Sequence, residues 1–161
     1  MAYALESLMK IRVRREDAAR SELTVARLRM SEAQNELDAR KEEFRLYEET
    51  KDERRDRIYA AILGRTLRPD ELEMAREGVS RIDEEGNLKA DNIVRAEGVL
   101  RNRAKEVETA REGFVCATKN RMKIDEHRNN WLMDEVAEDN RRQEIELEDF
   151  TGKKVVDDRD E

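Results

Sequence analysis

"ARSELTVARLRMSEAQNELDARKEEFRLY", residues 19–47, sets apolar side chains alternately four and three residues apart. Ala19, Leu23, Ala26, Met30, Ala33 and Leu37 keep the rhythm, Arg40 interrupts it with a charge, and Phe44 and Tyr47 resume it. That spacing puts them all on one narrow stripe of an α-helix, which is the seam of a coiled coil. Upstream, Leu5, Leu8 or Met9, and Val13 continue the stripe with a slip in phase. Downstream, beyond the polar "EETKDERRDR", Ile58, Ala61 and Ile62 take it up again. The pattern predicts one helix over about residues 3–63, with Gly64 as its stop, because glycine readily adopts the left-handed conformation that ends helices.

A second seam opens near Ala90 and runs through Ile93, Leu100, Ala104, Val107, Ala110, Phe114, Ala117, Ile124 and Trp131, with Val136, Ile145 and Leu147 trailing. Gly98 and Gly113 lie inside it and each costs about 1 kcal/mol against alanine. This arm is expected over about 88–150, followed by a flexible charged tail, "TGKKVVDDRDE", at 151–161. Between the arms, residues 64–87 hold the single proline. Pro69 followed by Asp70 and Glu71 signals a helix start, with Thr66 or Arg68 as cap. Leu72, Ala75, Val79 and Ile82 then suggest a short amphipathic helix, and "DEEGN" (83–87) a turn.

Composition leads to the same class. Of 161 residues, 45% are charged and only 4% aromatic, too little large apolar surface for an ordinary globular core. Scarce proline and glycine favour long helices over a disordered polyelectrolyte. The expected fold is all-α: one domain over 1–150, a long two-helix antiparallel coiled-coil hairpin with a short helical insert at the turn. With the turn centred near residue 75, Phe44 falls opposite Val107, Leu37 opposite Phe114, and Ala19 near Trp131 or Leu132. The basic "KIRVRR" (10–15) then flanks the acidic Asp134, Glu135, Glu138 and Asp139. A parallel dimer of single long helices leaves the central Gly and Pro segment without a role.

The same composition narrows function. A net charge of −7 argues against general nucleic-acid affinity. No apolar run reaches the roughly 20 residues that span a bilayer, and the start "MAYALESLMKIRVRRED" lacks the order of a signal peptide. One cysteine, Cys116, excludes an intramolecular disulfide and suits a reducing compartment. "GRTLRPDE" (64–71) lacks the lysine and second glycine of a phosphate loop. His127 and Cys116 are single residues of their kind, offering neither a metal-ligand set nor a nucleophile pair, and "DEEGN" lacks the acidic repeat of a calcium loop. The expectation is a monomeric cytosolic protein that is not an enzyme, has no cofactor and binds no metal.

Three features are candidates for contact with partners. Trp131, within "DEHRNNWLMDEV" (125–136), reads either as a seam residue at the open end of the hairpin or as an anchor for a partner. Lys10, Arg12, Arg14 and Arg15 read either as a solvated face paired with the acidic arm or as a surface for an acidic site elsewhere. Phe44, Tyr47 and Tyr59 read as seam residues or as a partner-facing aromatic set.

"HRNNWLMDEVAEDNRRQEIELEDF" (127–150) resembles the C-terminal helix of the YscO/SctO family of type III secretion systems, where a tryptophan precedes charged residues leading into an acidic end. "YALESLMKIRVRREDAARSEL" (3–23) is similar to that family's start and to its flagellar relative FliJ. Through the middle only the coiled-coil pattern is shared, and the Pro69 segment departs from it. The resemblance implies a central stalk that enters and stimulates a hexameric secretion ATPase, linked to the export gate protein and to substrate chaperones. It places the chain in the bacterial cytoplasm at the inner membrane secretion apparatus. Under it, Lys10, Arg12, Arg14, Arg15 and Trp131 form the ATPase-facing tip. The competing readings are a helical-hairpin chaperone gripping clients through apolar tips and a coiled-coil spacer.

Overall fold

The structure, a computed structural model, describes the backbone of residues 3–157 and the side chains of residues 3–148. It holds two helices, α1 (Glu6–Ile62, 57 residues) and α2 (Pro69–Asp157, 89 residues), and the chain is an all-α helical hairpin.

The reversal between them is set by local chemistry. Gly64 takes φ = 75° just past the end of α1, a conformation that a side chain makes costly. The Leu63 amide still donates to the Tyr59 carbonyl at 2.9 Å, and the Arg65 guanidinium caps the Ala61 carbonyl at 3.3 Å. Pro69 then occupies the first helical position, where its missing N–H is no loss. Behind it, the Arg68 amide donates to the Glu71 carboxylate at 2.9 Å, and Asp70 and Glu71 place negative charge at the helix's positive end. Arg68, of the two residues considered, is the cap.

Two expectations about the turn are corrected. There is no separate short helix and no turn at "DEEGN": both lie inside α2, which is continuous from Pro69. Gly86 serves close packing instead, since a Cβ there would come within 2.9 Å of the Tyr47 ring. With the reversal at residues 63–68, the helices meet in a register different from that expected. Phe114 lies beside Arg20, not Leu37, a displacement of seventeen positions. At its far end α2 continues to Asp157, past the end expected near Phe150; positions 158–161 of the expected tail lie outside the described residues.

Contacts divide the chain into two compact units. Unit 2, Glu22–Arg111, contains the reversal and most of the first seam. Leu23, Ala26, Ala33, Leu37 and Tyr47 are buried there against α2, whose Ile82 is equally buried, while Met30, Arg40 and Phe44 are half-buried. On α2, Ala90, Ile93, Leu100, Val107 and Ala110 are half-buried as the spacing requires, but Ala104 is exposed and Arg103 takes the seam position. Cross-helix ion pairs border the seam: Lys41–Glu97 at 3.4 Å, Arg54–Glu85 at 2.8 Å and Arg55–Asp83.

Unit 1 comprises residues 1–21 and 112–161. Phe114, Ala117, Ile124 and Trp131 are its half-buried α2 seam, whereas Val136, Ile145 and Leu147 are exposed and do not extend it.

Candidate functional site

Unit 1 brings four of the sequence-designated residues onto one helix beside the fifth's helix. Trp131, on α2, is half-buried and meets the ring of Tyr3, with centroids 5.3 Å apart and planes tilted by 46°. Tyr3 is buried, at 8% exposure, and its hydroxyl lies 2.9 Å from Nδ1 of His127, donating when that nitrogen carries no proton. The His127 and Tyr3 centroids are 5.8 Å apart. Residues 127 and 131 stand one helical turn apart, so one aromatic side chain from the segment leading into α1 bridges both. Offset ring pairs of this kind contribute about 0.5–1.5 kcal/mol beyond the area they bury. Trp131 therefore holds the paired ends together.

A polar layer lies deeper in the unit. Glu16 is 4% exposed, and its carboxylate accepts from the Thr118 hydroxyl at 3.0 Å and pairs with Arg121 at 3.1 Å. Arg20 approaches it from the next turn at 3.9 Å, and the Arg20 guanidinium sits 5.7 Å from the centroid of Phe114. A carboxylate is costly to bury unless its lone pairs are satisfied, and here two donors reach it while the Arg20 charge stands nearby. Only the observed register brings Thr118 and Arg121 to Glu16.

The basic strip occupies the α1 turns between these two layers. Lys10 pairs loosely with Glu6 at 3.8 Å, and Arg12 is half-buried. Arg14 and Arg15 are exposed, and among the described residues no carboxylate pairs with either. The expected alignment with Asp134, Glu135, Glu138 and Asp139 is not found; α2 residues around Thr118 to Arg128 run beside the strip, as the Glu16–Thr118 bond and the 3.8 Å contact from Arg128 to the Met9 sulfur show.

The three partner-facing aromatics lie in unit 2. Tyr47 is buried and donates its hydroxyl to the Ile82 carbonyl, with Phe44 stacked at 6.4 Å. The cations of Arg54 and Lys89 approach the Tyr47 ring to 5.8 and 5.9 Å, a cation–π arrangement. Lys89 also bonds Glu43 at 2.5 Å, and that hydrogen bond holds the Glu43 carboxyl below its ordinary range. Phe44 and Tyr47 thus serve the seam. Tyr59 is exposed beside the reversal, bordering a shallow groove with Ile62, Leu72, Ala75, Arg76 and Val79.

Sequence reading did not single out Tyr3, Glu16 or Arg121. Glu16 was visible in principle, because it falls seven residues before Leu23 and so at a seam position. Nothing in the sequence marks Tyr3 as the partner of Trp131 until the register is known. Among the described residues no three His, Cys, Asp or Glu side chains converge to hold a metal. The lone Cys116 is exposed and separate from the Tyr3–His127 contact. No helix is long and apolar enough to cross a membrane, among the described residues.

Comparison with known proteins agrees with this architecture. The family model described as type III secretion protein YscO matches residues 5–153. A solved structure, that of a putative YscO homolog, CT670, from Chlamydia trachomatis, is similar with a TM-score of 0.72. The match covers 96% of this chain and 94% of that one at 19% identity, which speaks to the fold. No curated protein matches.

Proposed function

Since the chain belongs to the YscO family of type III secretion proteins, we propose that it is the non-enzymatic central stalk of the export apparatus, seated in and stimulating the hexameric secretion ATPase. The observation that carries this reading is the build of unit 1. The segment leading into α1 is clasped to α2 there by Tyr3 and Trp131, register is held by Glu16, and Arg14 and Arg15 remain available to an acidic surface. A ring interior lined with carboxylates fits such a tip, and recognition by charge avoids a large apolar patch on the free protein. Lys10, Arg12, Arg14, Arg15 and Trp131 are the contacts assigned to the motor.

In this reading one copy acts per ring, in the bacterial cytoplasm and peripheral to the inner membrane. The reversal in unit 2 carries exposed Tyr59, Leu63, Leu72 and Met74, and it is assigned to the export gate protein and to substrate chaperones. Those apolar residues are also what a client-holding chaperone uses, which makes that the second reading.

The deciding experiment mixes purified chain with the secretion ATPase of the same system. Co-elution and a rise in turnover support the stalk, with Arg12→Glu/Arg14→Glu/Arg15→Glu losing both. Suppression of client aggregation, with no effect on the ATPase, replaces it with the chaperone reading.

A further inference from the structure

In unit 1, α2 outruns the helix it pairs with. α1 begins at Glu6, and Tyr3, just ahead of it, already lies against Trp131. Among the described residues, α1 and the segment leading into it offer nothing to α2 beyond that contact, yet α2 continues to Asp157, on the order of 40 Å further. The spacing of the seam does not stop there. Ile124, Arg128 and Trp131 lead by alternate steps of four and three to Glu135, Glu138 and Arg142. The face that holds α1 therefore turns acidic where α1 gives out.

An open pocket of about 400 Å³ lies on this face, lined by Trp131, Asp134, Glu135, Ala137, Glu138 and Arg141. Trp131 is half-buried, so part of its indole remains accessible. Glu135 is already engaged, and Glu138 pairs with Arg142 at 3.4 Å across an exposed turn, whereas Asp134 makes no ion pair among the described residues. No basic residue occurs between Arg128 and Arg141, while Asp134, Glu135, Glu138 and Asp139 do. An indole flanked by carboxylates suits a guanidinium, whose plane stacks on the ring while its N–H groups donate to the carboxylates. A face spaced like a coiled-coil seam suits a helix.

We propose that this face docks a basic helix of another protein, which lies along α2 in line with α1 and seats an arginine over Trp131, between Asp134 and Glu138. Arg141, the one cation of the lining, bounds the seat at its far end. A second copy approaching by the same face brings the same carboxylates and is repelled. One seat and a few turns of helix make a weak contact, with a dissociation constant on the order of 10–100 µM, and salt weakens it further. The docking goes beyond the stalk reading and stands without it, because its test uses a peptide and not the motor.

Trp131 is the only tryptophan of the chain, so its fluorescence reports this site alone. The full chain is titrated at low salt with a synthetic helical peptide of about three heptads, built from Ala, Leu and Arg and free of Trp and Tyr. A saturable shift of the emission is expected, with affinity reduced at least about tenfold in Asp134→Lys/Glu138→Lys. Glu22→Lys/Glu32→Lys changes the net charge by the same amount on α1 and should hold affinity to within about twofold. All four side chains are exposed, so circular dichroism of both variants should match wild type. The same peptide with glutamate in place of each arginine should produce no shift. An emission that the basic peptide leaves unmoved, or equal losses in the two variants, overturns the proposal. So does a shift that grows with chain concentration alone, which would seat a second copy on this face.

Discussion

The Tyr47 ring fills the space where a β-carbon on Gly86 would stand, 2.9 Å from its Cε1 and 3.1 Å from its hydroxyl oxygen. Tyr47 cannot easily withdraw, because it is buried and its hydroxyl is bonded to the Ile82 carbonyl. Gly86→Ala therefore forces the helices apart or breaks that bond, and a loss of about 1–3 kcal/mol is expected from overpacking. Thermal unfolding followed at 222 nm, a wavelength that reports helix, measures it. An unchanged melting temperature would show the contact to be slack.

Gly98 and Gly113 are expected to behave oppositely. Both lie inside α2 with nothing within 4 Å of an added Cβ. Alanine at either removes backbone freedom from the unfolded chain without a clash, so each change should stabilise by about 0.5–1 kcal/mol. The double variant should come near the sum, because the sites are far apart along the helix. The same unfolding measurement decides it, and a fall in melting temperature at either site contradicts the open space around it.

Glu16 offers a separation of stability from specificity. Glu16→Ala removes the acceptor of Thr118 and Arg121 but leaves an arginine that is 37% exposed and can rehydrate, so the cost should be about 1–3 kcal/mol rather than that of a fully buried pair. Replacing both members with leucine should restore much of that stability, while removing the layer that admits only one register. Spin labels at exposed positions of unit 1, such as Ser21 and Glu112, report this as a distance distribution. Wild type should give one narrow peak and Glu16→Leu/Arg121→Leu a broader one; equally narrow peaks place the register lock elsewhere.

These residues also show how far the sequence could be read. The four-three spacing of Leu23 through Tyr47 survives residue by residue because periodicity is a property of one helix. Gly64 and Pro69 were legible as stop and start for the same local reason. Register was not legible, since it depends on where the reversal lies. "DEEGN" looks like a turn, but Gly86 is a glycine for the sake of Tyr47, a contact that no local pattern announces. Misplacing the reversal moved Phe114 from Arg20 to Leu37 and hid the pairing of Tyr3 with Trp131. Seam positions were therefore found more readily than the clasp built upon them.

The clasp itself separates packing from hydrogen bonding. Trp131→Ala removes a half-buried ring and its contact with Tyr3, with an expected loss of about 2 kcal/mol, less than for a fully buried tryptophan. Tyr3→Phe keeps the ring and removes only the bond to His127, a loss of about 0.5–1 kcal/mol. The ordering tests whether packing or the hydrogen bond closes this end. Equal losses would mean that His127 matters as much as the tryptophan.

Stability should fall on acidification through the paired carboxylates of unit 2. Glu43 and Glu42 are held below the ordinary value of 4.5, Glu43 chiefly by its hydrogen bond to Lys89 and Glu42 by that to Arg45. A carboxyl whose folded-state pKa is depressed contributes stability that is complete above its unfolded value and lost as pH falls through the folded one. The melting temperature should thus hold down to about pH 5 and decline below the ordinary value of 4.5. Because Glu43 is well solvated, its share is small and screened by salt. Lys89→Met lets the Glu43 carboxyl return toward its ordinary range, so the acid decline should become shallower than in wild type. Melting curves of the two proteins across that window compare the slopes, and identical slopes would remove the Lys89–Glu43 pair from the account.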